Sequence, residues 1–394
     1  MRFGQTIRTI FIPILLLVSA SFSYAQYRAP INYAAVQDAL DRASKPTLPQ
    51  RILQHLTTPL VERDNLQLQA RAGLAYTRET NIGLSLATSA LYRTRDNHPQ
   101  SSASLAAMAS ITGFYRVQAT GEHLMGLGAS RLLYDVGVAS MPTRFWGLGY
   151  EAARDNARTE YTRFSTNLTL TFMQRIVGPF DLGAGVDVRY GRGSDFDALG
   201  EEYLLQGGQH VRSALTTGLH AVAEVDSRDN PYTTTRGVYL WLKGEIRPKG
   251  LGNFAQTLWH FTAQADFFQP LWRGATAAID LYGDFWSSAT PWFYWSALGG
   301  QSRMRGYYYG RYTDNQMATA QLELRQKIYG PFGAVAWVGA GSVFSSIKAF
   351  DWSEVMPSYG VGLRMSIGQR TALRIDYGWG RHTSGLIINV NEAF

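Results

Sequence analysis

From position 66 onward, apolar and polar residues alternate with a period of two. Leu66, Leu68, Ala70, Ala72, Leu74 and Tyr76 fall on one face, with Gln67, Gln69, Arg71 and Thr77 on the other. Ile82, Leu84, Leu86, Ala90 and Tyr92 stand opposite Gly83, Ser85, Ala87 and Ser89. Later runs are sharper: Leu182, Ala184, Val186, Val188 and Tyr190 alternate with Asp181, Gly183, Gly185, Asp187 and Arg189. Ala318 to Leu324 alternates with Thr319, Gln321, Glu323 and Arg325, and Leu373, Ile375, Tyr377 and Trp379 alternate with Arg374, Asp376 and Gly378. This period predicts strands with two chemically different faces.

A soluble sandwich shows the same alternation. Three features favour a membrane instead: full charges on the polar face, aromatic residues at the ends of apolar faces, and short turns alternating with long loops. The short connections are read at Arg78–Asn81, Gly178–Pro179, Pro270–Gly274, Tyr329–Phe332 and Gly368–Arg370. The long ones are Asp135–Asn156, Gly191–His210 and Trp286–Asp314. About fifteen runs are visible. An antiparallel barrel with both termini on one side needs an even number, so sixteen strands are expected. The missing one lies near Leu53–Val61 or within Arg131–Gly149. The predicted fold class is therefore all-β, an antiparallel transmembrane β-barrel over residues 66–394.

Residues 1–25 read as a secretory signal. Arg2 and Arg8 precede the apolar run Ile10–Val18, and Ser23-Tyr24-Ala25 supplies a small-x-small cleavage pattern. No later stretch approaches the roughly 18 apolar residues of a spanning helix. Residues 26–65 form a short lead-in or plug with one expected helix, Tyr33–Arg42, whose Tyr33, Val36 and Leu40 share a face. The chain ends in Leu386, Ile388 and Val390 on alternate positions with Phe394 last, and a terminal aromatic on an alternating strand looks like the signal that assembly machinery reads in outer-membrane barrels.

Composition fits this picture. Tyr 22, Phe 19, Trp 10 and Gly 39 accompany only 17% charged residues, and Cys 0 removes disulfides and thiolate sites together. The formal charge of +7 comes without a dense basic block, so nucleic acid is not an expected partner. The seven histidines show no HExxH or paired ligand spacing, so neither metal nor other cofactor is expected. His220 with Glu224, and Asp280 with Asp284, share strand faces, and Ser287 and Ser288 follow Asp284 with no histidine adjacent in sequence. These pairings do not make an enzyme, and a hydrolase is the least favoured reading.

Leu298-Gly299-Gly300-Gln-Ser-Arg-Met304-Arg305-Gly306-Tyr307, followed by Gln321-Leu-Glu323-Leu-Arg325, resembles the long inward-folding extracellular loop and next strand of the BamA/TamA family of bacterial surface-antigen barrels. The family hallmark is Val/Ile-Arg-Gly-Phe/Tyr, with Met304 here in the aliphatic position. Asp226–Gly237 is similar to that family's periplasmic turn, and Arg144–Gly149 with Asp155-Asn156 to its Gly-aromatic extracellular loop. The resemblance implies an outer-membrane location, and a role in insertion or translocation of envelope components through a weak seam between first and last strands. Its implied partners are outer-membrane lipid, nascent outer-membrane proteins and a separate periplasmic partner. A passive pore or structural barrel is the alternative.

In the family, the motif arginine pairs with an acid on the next strand, here Glu323, and with an aspartate in an aromatic-x-Asp-x-Gly motif. That stretch is Trp337-Val338-Gly339-Ala340-Gly341, so Gly339 replaces the aspartate and Asp376 becomes a candidate for the second acid. POTRA domains, each needing roughly seventy-five residues in that family, are not expected in the short segment before residue 66. Arg305, Gly306, Tyr307, Glu323, Asp376 and Phe394 are the candidate functional residues.

Overall fold

The computed structural model describes residues 61–394 apart from 78–80, 96–98, 156–157, 207–210, 232, 289, 367–371 and 391. The expected leader, the helix at Tyr33–Arg42 and the segment 53–60 lie outside the described residues.

Alternating sequence becomes one antiparallel meander. After the three-residue β1 (Val61–Arg63) come β2 (Leu66–Thr77), β3 (Asn81–Tyr92), β4 (Ser101–Ser110), β5 (Tyr115–Met125) and β6 (Ser130–Phe145). A short helix α1 (Gly149–Arg154) leads to β7 (Thr159–Val177) and β8 (Phe180–Ser194), then α2 (Ala198–Gln206) and β9 (Ser213–Asp226). β10 (Gly237–Arg247), β11 (Leu258–Pro270) and β12 (Ala275–Trp286) precede a long connection that contains the small hairpin β13 (Ser296–Leu298) and β14 (Tyr312–Asp314). β15 (Gln316–Tyr329), β16 (Phe332–Phe344), β17 (Met356–Ser366), β18 (Ala372–Gly380) and β19 (Thr383–Val390) complete the chain. Among the described residues, sixteen strands remain once the three-residue β1, β13 and β14 are set aside, the even number expected.

Each long strand pairs antiparallel with its neighbour in sequence order, β12 pairing with β15 across the intervening hairpin. The sheet curls so that segments far apart in sequence meet over its inner face. Arg311 donates to the carbonyl of Ala153 at 3.3 Å, and the rings of Trp146 and Tyr308 lie 5.5 Å apart. The strands also outrun a bilayer in places. About 9–11 residues suffice for a tilted crossing, whereas β6, β7 and β8 have 16, 19 and 15.

The burial pattern is inverted relative to a soluble protein. Leu84, Leu182, Leu219, Leu242, Leu281, Leu322, Val338 and Leu363 are exposed, while Asp187, Asp266, Asp280, Glu323, Arg374 and Asp376 on the other parity are buried. In water that arrangement is unfavourable twice over; around a lipid-facing cylinder with a polar lumen it is the expected solution. Exposed aromatics collect at strand ends, Trp272, Tyr329 and Phe332 at one end and Trp259, Tyr359 and Trp379 at the other, as interfacial girdles do. Among the described residues no helix is long and apolar enough to cross a membrane.

Three expectations need correction. Asp135–Asn156 is not a long loop, because β6 runs to Phe145 and is the missing strand within Arg131–Gly149. Its Val136 faces out and Asp135 in, but Gly137, Ala139 and Ser140 blur the alternation. The connection at Arg78–Asn81, whose residues 78–80 lie outside the described residues, falls at the long-loop end. The antiparallel order of β2 and β3 requires this, so short and long connections do not alternate strictly. Finally, Phe394 does not sit on an alternating strand. β19 stops at Val390, and Phe394 is only 4% exposed, folded against Phe268 and Ala278 on the inner face. Glu392, beyond the end of β19, bonds Arg364 in the lumen.

Candidate functional site in the barrel lumen

The connection between β12 and β15 folds inward, and Arg305 at its heart is fully buried. Arg305 Nη2 donates to Glu323 Oε2 at 2.6 Å, and Nη1 donates to Asp376 Oδ2 at 2.8 Å. Its guanidinium lies 3.7 Å from the ring centre of Trp337 on β16. One side chain therefore ties the loop to β15, β16 and β18. The distances are those of charge-assisted hydrogen bonds, and the planar guanidinium suits a fork between two carboxylates with an aromatic face beneath it.

The loop backbone is held as firmly. Arg374 donates to the carbonyl of Gln301, Gln321 to that of Ser302, Ser358 to that of Arg305 and Thr383 to that of Gly306, at 2.8 to 3.1 Å. Buried carbonyls need such partners, and here barrel side chains supply them. Gly306 has φ +104°, and a Cβ there would lie 2.8 Å from the backbone carbonyl of Gly378 on β18. Only glycine permits both the conformation and the approach. Tyr307 completes the motif: its hydroxyl donates to the Pro357 carbonyl at 2.7 Å and accepts from the Arg381 amide at 2.7 Å. Burial pushes its phenol up to about 12.

Sequence reasoning missed much of the surrounding charge. Arg364 on β17 donates to Asp376 at 2.5 Å and to Glu392 at 2.6 Å; Arg325 on β15 donates to Glu323 at 2.7 Å. Arg374 lies 3.6 Å from Asp376, and Arg303 clasps Asp280 with contacts of 2.6 to 3.1 Å. Arg325 and Arg374 occupy polar-face positions of expected strands, so counting inward charges on neighbouring strands was the available signal. Gly339, where the family has its aspartate, pairs with Gln321, leaving the carboxylate facing Arg305 to come from Asp376 instead.

A second network lies across the lumen. Asp187 takes Arg189 at 2.8 Å and also Arg247, while Glu245 takes Lys243 at 3.0 Å and Arg247. His260 stacks on Trp286 at 3.8 Å and contacts Asp284 at 2.6 Å. Above it, Trp292, Phe293, Tyr294 and Trp295 from the inward loop pack with Phe145, Tyr161 and Tyr203. A histidine thus meets Asp284, although none is adjacent in sequence. Ser296 donates to the same carboxylate at 2.7 Å, so the order is His–Asp–Ser. A nucleophile needs its hydroxyl on the base rather than on the acid, and this order does not provide it. His220 bonds Thr171, and Glu224 bonds Arg131. Among the described residues no group of three His, Cys, Asp or Glu is placed to hold a metal ion.

Residues 64–386 match the model of the Omp85 superfamily domain. No match was found among curated protein sequences. Among solved structures, the chain is similar to BamA from Haemophilus ducreyi lacking POTRA domains 1–3, with 14% identity, 84% of this chain and 71% of that one covered, and a TM-score of 0.59. It is also similar to CdiB from Escherichia coli, at 12% identity, 85% and 63% coverage and a TM-score of 0.53. CdiB from Acinetobacter baumannii matches at 11% identity, 93% and 71% coverage and a TM-score of 0.49. The family match spans most of the chain and carries the assignment, and the BamA and Escherichia coli CdiB structures agree in fold: this protein belongs to the Omp85 superfamily of outer-membrane β-barrels.

Proposed function

We propose that this barrel aids the insertion or translocation of outer-membrane proteins, using the join between β2 and β19 as the place where a client strand enters. The observation that carries this reading is the loop bearing Arg305. It occupies the lumen and is pinned to β15, β17 and β18, the strands leading to the last one, by bonds that Arg305 donates to Glu323 and Asp376 and one that it accepts from Ser358. A barrel braced in this way keeps its wall in shape while one edge opens. β18 and β19 have only 9 and 8 residues against 19 in β7, so the last two strands share a short ladder of eight positions. An unpaired strand edge is a template for another strand. Outer-membrane lipid, client barrels and a separate periplasmic partner are the partners this reading calls for, and the residue of chief importance is Arg305.

Depleting the protein and complementing with Arg305→Ala or Glu323→Gln tests the proposal. Other outer-membrane proteins should fall in amount although the variant barrel itself is present; unchanged amounts on depletion would sink it. The rival reading, a passive pore, finds less support in a lumen filled by Trp292, Phe293, Tyr294 and Arg305, all buried.

A further inference from the structure

Beneath the Arg305 loop, at the other end of the lumen, the chain's own tail is bound as a ligand would be. Glu392 accepts from Arg364 Nε at 2.6 Å and lies 3.9 Å from Arg325. Ala393 is fully buried. The Phe394 ring packs 6.1 Å from that of Phe268 on β11, with the Arg325 guanidinium 5.0 Å from its centre, and Arg325 Nη2 donates to the Phe394 carbonyl at 3.0 Å. The floor thus reads an acid and, two residues on, an aromatic ring.

Charge explains why an acid is wanted there. The ion-paired cluster contains four arginines, Arg305, Arg325, Arg364 and Arg374, and three acidic side chains, Glu323, Asp376 and Glu392. The neighbouring Asp280 is clasped by Arg303, and the nearby Asp266 takes a bond from Gln264 at 2.8 Å. With Glu392 withdrawn, four buried guanidinium groups would face two carboxylates, an arrangement that favours capture of another anion. Arg325 Nη1 and Arg364 Nη2 retain buried donors with no hydrogen-bond acceptor among the described residues. Phe268 and Ala278 supply the apolar half of the pocket.

We propose that Arg325, Arg364 and Phe268 form a binding site for an acid-x-aromatic peptide segment, filled in cis by Glu392–Phe394 and open in trans to the same motif on an incoming polypeptide. The trans half rests on the reading that the barrel handles client polypeptides; the cis half does not. Occupancy by the tail makes the site self-blocked, so apparent affinity for a free peptide falls by the fraction of molecules whose tail is withdrawn. Because the same arginines hold Glu323 and Asp376, filling or emptying the floor also changes the charge environment of the Arg305 loop.

The test uses the full chain in detergent micelles and a fluorescein-labelled peptide of residues 383–394. Glu392→Gln combined with Phe394→Ala, with β-content checked by circular dichroism, should bind the peptide at least about tenfold more tightly than the wild type, since the competing tail is removed. Glu392→Gln alone, a milder change, should give an intermediate gain. Peptide carrying Gln for its glutamate, or tail-released protein carrying Arg364→Gln, should lose that gain. Equal binding by wild-type and tail-released protein, or binding indifferent to the peptide glutamate, overturns the proposal. These outcomes are read independently of outer-membrane protein amounts, so an assembly defect without peptide binding defeats the site and leaves the proposed function standing.

Discussion

Arg305 holds the loop through two buried charge-assisted hydrogen bonds, and its removal frees the loop while Glu323 keeps Arg325 and Asp376 keeps Arg364. A hydrogen bond to a charged group contributes about 1.5–3 kcal/mol. Arg305→Ala should therefore undock the loop, and trypsin should cut at Arg303 and Arg311, which the folded loop protects. Arg305→Lys keeps the charge but loses the fork and should fall between the two; wild-type resistance in the Ala variant would contradict the account. Gly306→Ala should undock the loop as well, since both φ and the Gly378 carbonyl oppose a Cβ. Asp314, in the loop hairpin, makes a pH prediction. Burial chiefly raises its carboxyl from 3.8 to about 6, the amide of Asn315 lowers it, and Glu354 raises it. A raised acid binds its proton more tightly when docked, so docking is strongest below pH 4, weakens as pH rises towards 6 and is flat above. Asp314→Asn should remove that slope from denaturant titrations followed by tryptophan emission; an unchanged slope would assign it elsewhere. Much of this site was legible in the residues themselves. Arg305-Gly306-Tyr307 and Glu323 stand in motif and strand, and Asp376 is an inward acid one parity step from Arg374. Glu392 and the tail were not legible, because an alternating C-terminal run gives no sign that the next residues turn inward to meet charge.

Strands differ in how well they are anchored. β7 and β8 share a long ladder from Thr162–Ser194 to Val177–Phe180, whereas β18 and β19 pair over eight positions, from Leu373–Val390 to Gly380–Thr383. Opening free energy rises with the number of ladder bonds and packed neighbours. Amide hydrogen exchange in micelles should thus be faster in β19 than in β7 or β8, and it should accelerate further in Arg305→Ala, whose loop no longer holds β18. Uniform protection across the strands would remove the case for a weak join. Strand identity was readable wherever charge faced apolar residues, as in β8 and β15. It faded in β6, where glycine, alanine and serine occupy inward and outward positions alike. Loop length was a poor guide to side, as the connection between β2 and β3 shows: a turn's length reflects local need, whereas its end is set by strand parity alone.

At the scale of the molecule, the inverted surface and the filled lumen describe a wall built to meet lipid and a core built to hold a loop. Arginine and acid networks on both sides of the lumen make it a braced interior rather than an open channel. In planar bilayers the wild type should be nearly silent, and Arg305→Ala should show larger, fluctuating conductance; a large steady wild-type conductance would favour a pore. The claim that the barrel assists insertion is tested most directly with purified protein in liposomes, by following the folding of a urea-denatured outer-membrane protein added from outside. Wild-type protein should speed that folding over liposomes holding an unrelated barrel, and Arg305→Ala should lose most of the gain. Equal folding rates in the two kinds of liposome would contradict the account.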